Sequence, residues 1–222
     1  MLLDILRGGD MVEIIVGLCV SAFVVFCVLP IHEYAHALAA DKMGDETPRL
    51  SGRLTLSPLA HIDLWGALMI LLVGFGYAKP VPVNPYKTKL KNKKLAMALI
   101  ALAGPVSNLI MALISTIVAV FLSHNFYSTN TLALAFYIFF KYCALINVNL
   151  AVFNLLPIPP LDGSRVLTAV LPTETYFKIM KYERYIVIAI MILLFTGLLS
   201  RPLSYLSGLV IALFESFANL FV

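Results

Sequence analysis

The densest concentration of chemistry in this 222-residue chain is His32-Glu33-Tyr34-Ala35-His36. On a helix, residues four apart share a face, so both imidazoles can hold one metal ion while Glu33 stands beside them to handle a water proton. These groups come at the end of a long apolar run, where ionisable side chains are costly unless they serve a function. Catalytic zinc takes three protein ligands and keeps one position open, so a third ligand must come from elsewhere in the chain. Asp162 is the expected one. It follows Asn154-Leu155-Leu156-Pro157-Ile158-Pro159-Pro160-Leu161 and precedes Gly163. Read alone, Asp-Gly after a proline run is also an ordinary turn and helix N-cap. Its depth, derived below, matches that of the histidines and favours ligation.

The elements that must position these residues are membrane helices. The composition is 61% hydrophobic and 13% charged, against roughly 25% charged in soluble domains. Several apolar stretches approach the ~20 residues that cross a hydrocarbon core, where a backbone must satisfy its own hydrogen bonds. The expected fold class is all-α transmembrane: a three-helix core with a short β-hairpin and a re-entrant segment, plus C-terminal apolar helices. One membrane-embedded domain is expected over 1–222, its core at about 12–170 and its C-terminal helices at 172–222. Cys19, Cys27 and Cys143 all lie in apolar runs and read as small hydrophobes, not as a disulfide framework or a thiolate metal site. The N-terminal segment lacks a small-residue cleavage site after a short apolar core, so the first apolar helix is expected to be retained.

That first helix is predicted from about Val12 to Lys42. After the charged turn Asp41 to Pro48, Arg53-Leu54-Thr55-Leu56-Ser57 alternates polar and apolar as a half-buried strand does, which with Arg49-Leu50 predicts the hairpin. A strand there could pair with an unwound substrate. Leu64 to Tyr77 is short for a span and contains Gly66, Gly74 and Gly76, which predicts entry and exit on one side. An extended loop follows with Pro80, Pro82, Asn84 and Pro85, then five lysines from Lys87 to Lys94. Leu95–Leu122 and Thr131–Leu156 are the second and third long helices. Tyr185–Leu199 and Leu203–Val222 are the C-terminal apolar runs, the last able to span or to lie in the interface.

With a re-entrant Leu64–Tyr77, one face collects thirteen of the sixteen basic residues, from Lys42 through the lysine loop to Arg184. The positive-inside rule then puts the N-terminus outside and the basic loops in the cytosol. The first and third helices both descend, delivering the histidines and Asp162 to the cytosolic side. The net charge of +4 is a topology signal facing anionic lipid and points to no nucleic-acid partner. Among the remaining polar groups, His61 reads as an interface or supporting histidine, His124 as solvated at the outer end, and Asn108 as interhelical packing beside Gly104-Pro105. Lys141 is an intramembrane cation that can snorkel, pair or meet substrate.

Four separated matches make the chain resemble the site-2 proteases, intramembrane zinc metalloproteases, in the short bacterial form without a PDZ domain. They are His32-Glu33-x-x-His36, Gly104-Pro105-x-x-Asn108, the loop Ala78-Lys79-Pro80-Val81-Pro82-Val83-Asn84-Pro85, and Asn154-x-x-Pro157-x-Pro159-x-Leu161-Asp162-Gly163. The resemblance implies a three-helix core and one zinc ion held by His32, His36 and Asp162 some way in from the cytosolic surface. It further implies Glu33 as general base and hydrolysis of a peptide bond in or near a transmembrane segment of a membrane-protein substrate. Asn154 matches an asparagine that would donate a hydrogen bond to substrate or oxyanion, and a helix-end cap explains it equally well. The implied location is a bacterial cytoplasmic membrane. A metal-binding protein without protease activity does not require Glu33, and a transporter would want ligands toward both faces; neither alternative accounts for all four matches.

Overall fold

The computed structural model describes residues 19–73, 76, 78–126 and 131–221. The chain forms two compact units, Met1–Ala96 and Met97–Val222.

In the first unit, helix α1 (Cys19–Lys42) is apolar and 24 residues long, about 36 Å at 1.5 Å per residue. The stretch expected before it, 12–18, lies outside the described residues. The turn Val24–Val28 is π-helical, with the Leu29 N–H reaching back five residues to the Val24 carbonyl. This wide turn immediately precedes Pro30, which has no N–H to offer the preceding turn. Gly44, at φ +98° just past the helix, takes the left-handed conformation that ends helices without a Cβ penalty. Short helices α2 (Thr47–Leu50) and α3 (Pro58–His61) pack back on α1.

No strand occurs among the described residues, so the β-hairpin expected around Arg49–Ser57 is absent. Thr47-Pro48-Arg49-Leu50 turns as a helix instead, and Gly52 at φ +71° closes it. The polar positions of the alternating segment are satisfied locally. Arg53, only 8% exposed, donates from Nη1 to the carbonyls of Ala60 (2.6 Å) and Lys79 (3.2 Å). The Thr55 carbonyl lies 2.8 Å from His61 Nε2. Alternation here records which side chains turn inward in an irregular loop, and leaves no strand to pair with a substrate.

Helix α4 (Leu64–Val73) has ten residues, about 15 Å and half the thickness of a hydrocarbon core. The chain on either side of it meets itself, the Lys79 N–H donating to the His61 carbonyl at 2.8 Å. From there the Pro-rich loop is pinned along the end of α1. The Asn84 N–H donates to Asp45, a carboxylate with no solvent exposure that also accepts from the Thr47 N–H and hydroxyl. The Lys89 N–H donates to the Met43 carbonyl at 2.7 Å.

Helix α5 (Lys93–Phe126) begins at the lysine loop, and in the second unit it is followed by α6 (Thr131–Asn154), the short α7 (Asp162–Val166), α8 (Thr173–Met180), α9 (Glu183–Phe195) and α10 (Ser200–Ala218). Helix α5 buries mostly small residues (Ala98, Ala101, Ala112, Ser115, Thr116, Ala119), with Ile100 and Asn108 as larger exceptions, and exposes large ones (Val106, Ile110, Ile114, Phe121). A water-soluble helix distributes them the other way; lipid is the solvent that this surface fits, because close helix approach needs small residues inside. Helices α1, α5 and, over Leu132–Asn154, α6 are long and apolar enough to cross a membrane. Helix α10 packs along α6.

Candidate metal centre

His32 and His36 stand one turn apart in the last half of α1, 5% and 7% exposed. Their Nε2 atoms are 3.1 Å apart, with the rings edge-on at a centroid distance of 4.7 Å. Two imidazole nitrogens at ~2.05 Å from a tetrahedral zinc would be separated by ~3.4 Å. The pair therefore converges on one point as a bidentate donor set does, and the donors fit zinc. Pro30, Ala37 and Ala40 are buried on the same helix and fix its approach to its neighbours.

Glu33, half-buried, points a carboxylate oxygen at the Val81 N–H, 3.2 Å away. Val81 lies between Pro80 and Pro82, neither of which has an N–H, so it is the single backbone donor of the Pro-Val-Pro segment. The loop reaches this position because Arg53 and the His61 carbonyl hold Lys79 two residues earlier, and Asp45 holds Asn84 three residues later. Sequence reasoning did not single out Arg53, Asp45 or Val81. A proline on each side of one residue was the available signal for Val81. Nothing in the local sequence distinguishes Asp45 and Arg53 from solvated charges.

In the second unit, Asn154 is the last residue of α6 and Asp162 the first of α7. Both are half-buried. The connecting loop doubles back, its Pro159–Pro160 bond cis, so that Gly163 rests on the carbonyls of Leu155 and Leu156, where a Cβ has no room. This contact, not a turn conformation, explains the glycine after Asp162: it holds the start of α7 against the residues that follow Asn154. The structure thus brings His32, His36 and Glu33 together in one unit and Asn154 with Asp162 in the other. His61 is buried, 1% exposed, and belongs to the loop scaffold, not to the ligand pair.

The chain matches the profile described as Peptidase family M50 over residues 20–134 and 124–198. It belongs to that family. As an M50 peptidase it is similar to YwhC of Bacillus subtilis (strain 168), 42% identical over 171 residues, covering 75% of this chain and 76% of the relative. It is also similar to Rip2 of Mycolicibacterium smegmatis, 29% identical over 179 residues, covering 78% of this chain and 65% of the relative. Rip2 of Mycobacterium tuberculosis (strain H37Rv) is 29% identical over 188 residues, 84% of this chain and 68% of the relative. All three carry the name "Putative zinc metalloprotease". No solved structure matches the chain. The M50 peptidase described here is a zinc metalloprotease, and its three apolar helices make it an integral membrane protein.

Proposed function

We propose that this M50 peptidase is an intramembrane endopeptidase that hydrolyses peptide bonds in or near transmembrane segments of membrane-protein substrates. His32, His36 and Asp162 hold one zinc ion per chain, and Glu33 is the general base. The carrying observation is that His32 and His36 converge within 3.1 Å, with Glu33 between them in sequence, on a helix of membrane-spanning length. Asp162 as third ligand rests on the sequence match, on the need for three ligands, and on its fixed position at the exit of α6. A zinc ion bound there supplies Lewis acidity toward the scissile carbonyl and acidifies a water.

Glu33 takes the proton of the attacking water and delivers it to the leaving amine. The Val81 N–H holds the carboxylate in place as it does so. Asn154 donates its amide hydrogen bond to the substrate carbonyl, whose oxygen gains charge along the reaction. Helix α4 is a re-entrant segment, supported by its short length and by the Lys79–His61 bond joining its two flanks. The basic loops face the cytosol of a bacterial cell, the active site lies toward that side of the cytoplasmic membrane, and the N-terminus lies outside.

The test is purified wild type, Glu33→Gln and Asp162→Ala in detergent, compared for zinc content and for cleavage of a transmembrane peptide. Wild type and Glu33→Gln should each hold about one zinc, with cleavage by Glu33→Gln lowered by about 10²–10⁴-fold, while Asp162→Ala loses zinc. Equal cleavage by Glu33→Gln, or full zinc retention in Asp162→Ala, overturns the corresponding assignment.

A further inference from the structure

A cavity of about 250 Å³, mostly apolar in its lining, lies in the second unit between α5, α6 and α10. Its polar lining is Thr116, Ser123, Tyr137, Lys141, Glu215 and Asn219. Ser123 is near the C-terminal end of α5, Tyr137 in the second turn of α6, and Glu215 and Asn219 at the C-terminal end of α10. The cavity therefore sits toward the end of α6 opposite Asn154; Lys141 and Asn154 are thirteen residues apart, about 20 Å along the helix.

Lys141 and Glu215 bring opposite charges to the walls of one cavity, two of whose helices, α5 and α6, are of membrane-spanning length. Neither has an ion-pair partner among the described residues, each other included. The Lys141 ammonium lies 5.7 Å from the centroid of the Tyr137 ring, one turn nearer the start of α6. That is the direction in which helical side chains lean and in which a lysine snorkels toward the membrane surface. A charge held between apolar helices is costly unless it meets a counter-charge. A simple anion would answer Lys141 and leave Glu215 unmatched; a simple cation would do the reverse. A zwitterion carrying a phosphate and a primary ammonium answers both, with the Asn219 amide as a further donor to a phosphate oxygen.

We propose that this cavity is a binding site for a phosphoethanolamine group, its phosphate on Lys141 and its ammonium on Glu215. The group comes from a phospholipid of the surrounding leaflet, because α5 and α6, which form two walls of the cavity, are of membrane-spanning length and the cavity lies toward their ends. The cavity shares no residue with the proposed metal centre, and the proposal does not rest on that centre.

The experiment uses the full chain in detergent, with retained lipid measured by native mass spectrometry after incubation with phosphatidylethanolamine, phosphatidylglycerol or phosphatidylcholine. Wild type should retain the ethanolamine lipid about tenfold more than the other two, the effect of one charge-assisted hydrogen bond. Glu215→Gln should bring the ethanolamine lipid down to the level of the glycerol lipid, and Lys141→Gln should lower both by about tenfold. Helix content by circular dichroism reports whether each variant is folded. Competition on wild type requires no variant: free phosphoethanolamine should displace the lipid at concentrations where inorganic phosphate does not. Displacement only at a large excess identifies the membrane lipid as the source, and binding of the free compound as tight as that of the lipid overturns that source. Equal retention of the three lipids by wild type, or unchanged ethanolamine-lipid retention in folded Glu215→Gln, overturns the site.

Discussion

At the scale of single residues, the proposed chemistry of this peptidase turns on how the Glu33 carboxylate is kept beside two buried imidazoles. Glu33 is on the same helix as its histidines, but a glutamate has three rotatable bonds and its direction is set from outside the helix, by the Val81 N–H. Val81→Pro removes that donor and leaves the helix untouched; Val81→Ala keeps it. A hydrogen bond to a charged group contributes about 1.5–3 kcal/mol, so kcat should fall by roughly 10- to 100-fold in Val81→Pro and stay within about twofold in Val81→Ala. Zinc content should be equal in the two. Equal kcat values would assign the loop a covering role only. The convergence of His32 and His36 was legible in the sequence because helical periodicity alone puts residues four apart on one face. The Val81 contact was not, because it joins residues 48 positions apart through a loop whose path depends on Arg53 and Asp45.

At the scale of elements, the long helices were readable and the short ones were not. Helices expected at Leu95–Leu122 and Thr131–Leu156 occur at Lys93–Phe126 and Thr131–Asn154, since twenty apolar residues in lipid leave the backbone one solution. The segment 49–57 failed as a hairpin because a short alternation carries no such constraint, and a buried arginine can satisfy carbonyls that a strand would have paired. The loop from Asn154 to Asp162 is an intermediate case. Its prolines forbid helix, but its return path is fixed by Gly163 lying on the carbonyls of Leu155 and Leu156. Gly163→Ala places a methyl group where backbone oxygens stand, so the start of α7 must move away from the end of α6. Zinc affinity should then drop by at least about tenfold, the lower end of the loss seen when the support of a metal ligand is disturbed. Gly208→Ala is the control, because a Cβ there meets nothing within 4 Å. Unchanged zinc affinity in Gly163→Ala would remove Asp162 from the ligand set or show that its position is tolerant.

At the scale of the whole molecule, what matters is which face of the membrane each end of a helix reaches. Helix α5 has 34 residues, about 51 Å, against a hydrocarbon core of about 30 Å. Both of its ends must therefore extend beyond the core or the helix must tilt strongly, and its ends differ in kind. Lys93 and Lys94 follow Lys87, Lys89 and Lys91 at one end; Ser123, His124 and Asn125 stand at the other. Basic residues resist translocation, so the proposed topology puts the lysine end in the cytosol. Labelling with a membrane-impermeant thiol reagent decides it. In a chain with Cys19, Cys27 and Cys143 replaced by Ala, a cysteine at Lys91 should react only in inside-out vesicles, and one at His124 only in right-side-out vesicles. Because the third long helix returns across the same membrane, Asp162 at its far end follows the lysine loop to whichever face the label reports. Reaction of the Lys91 position from outside would invert the topology and move the whole active site to the other surface, while leaving the chemistry of His32, Glu33 and His36 as derived.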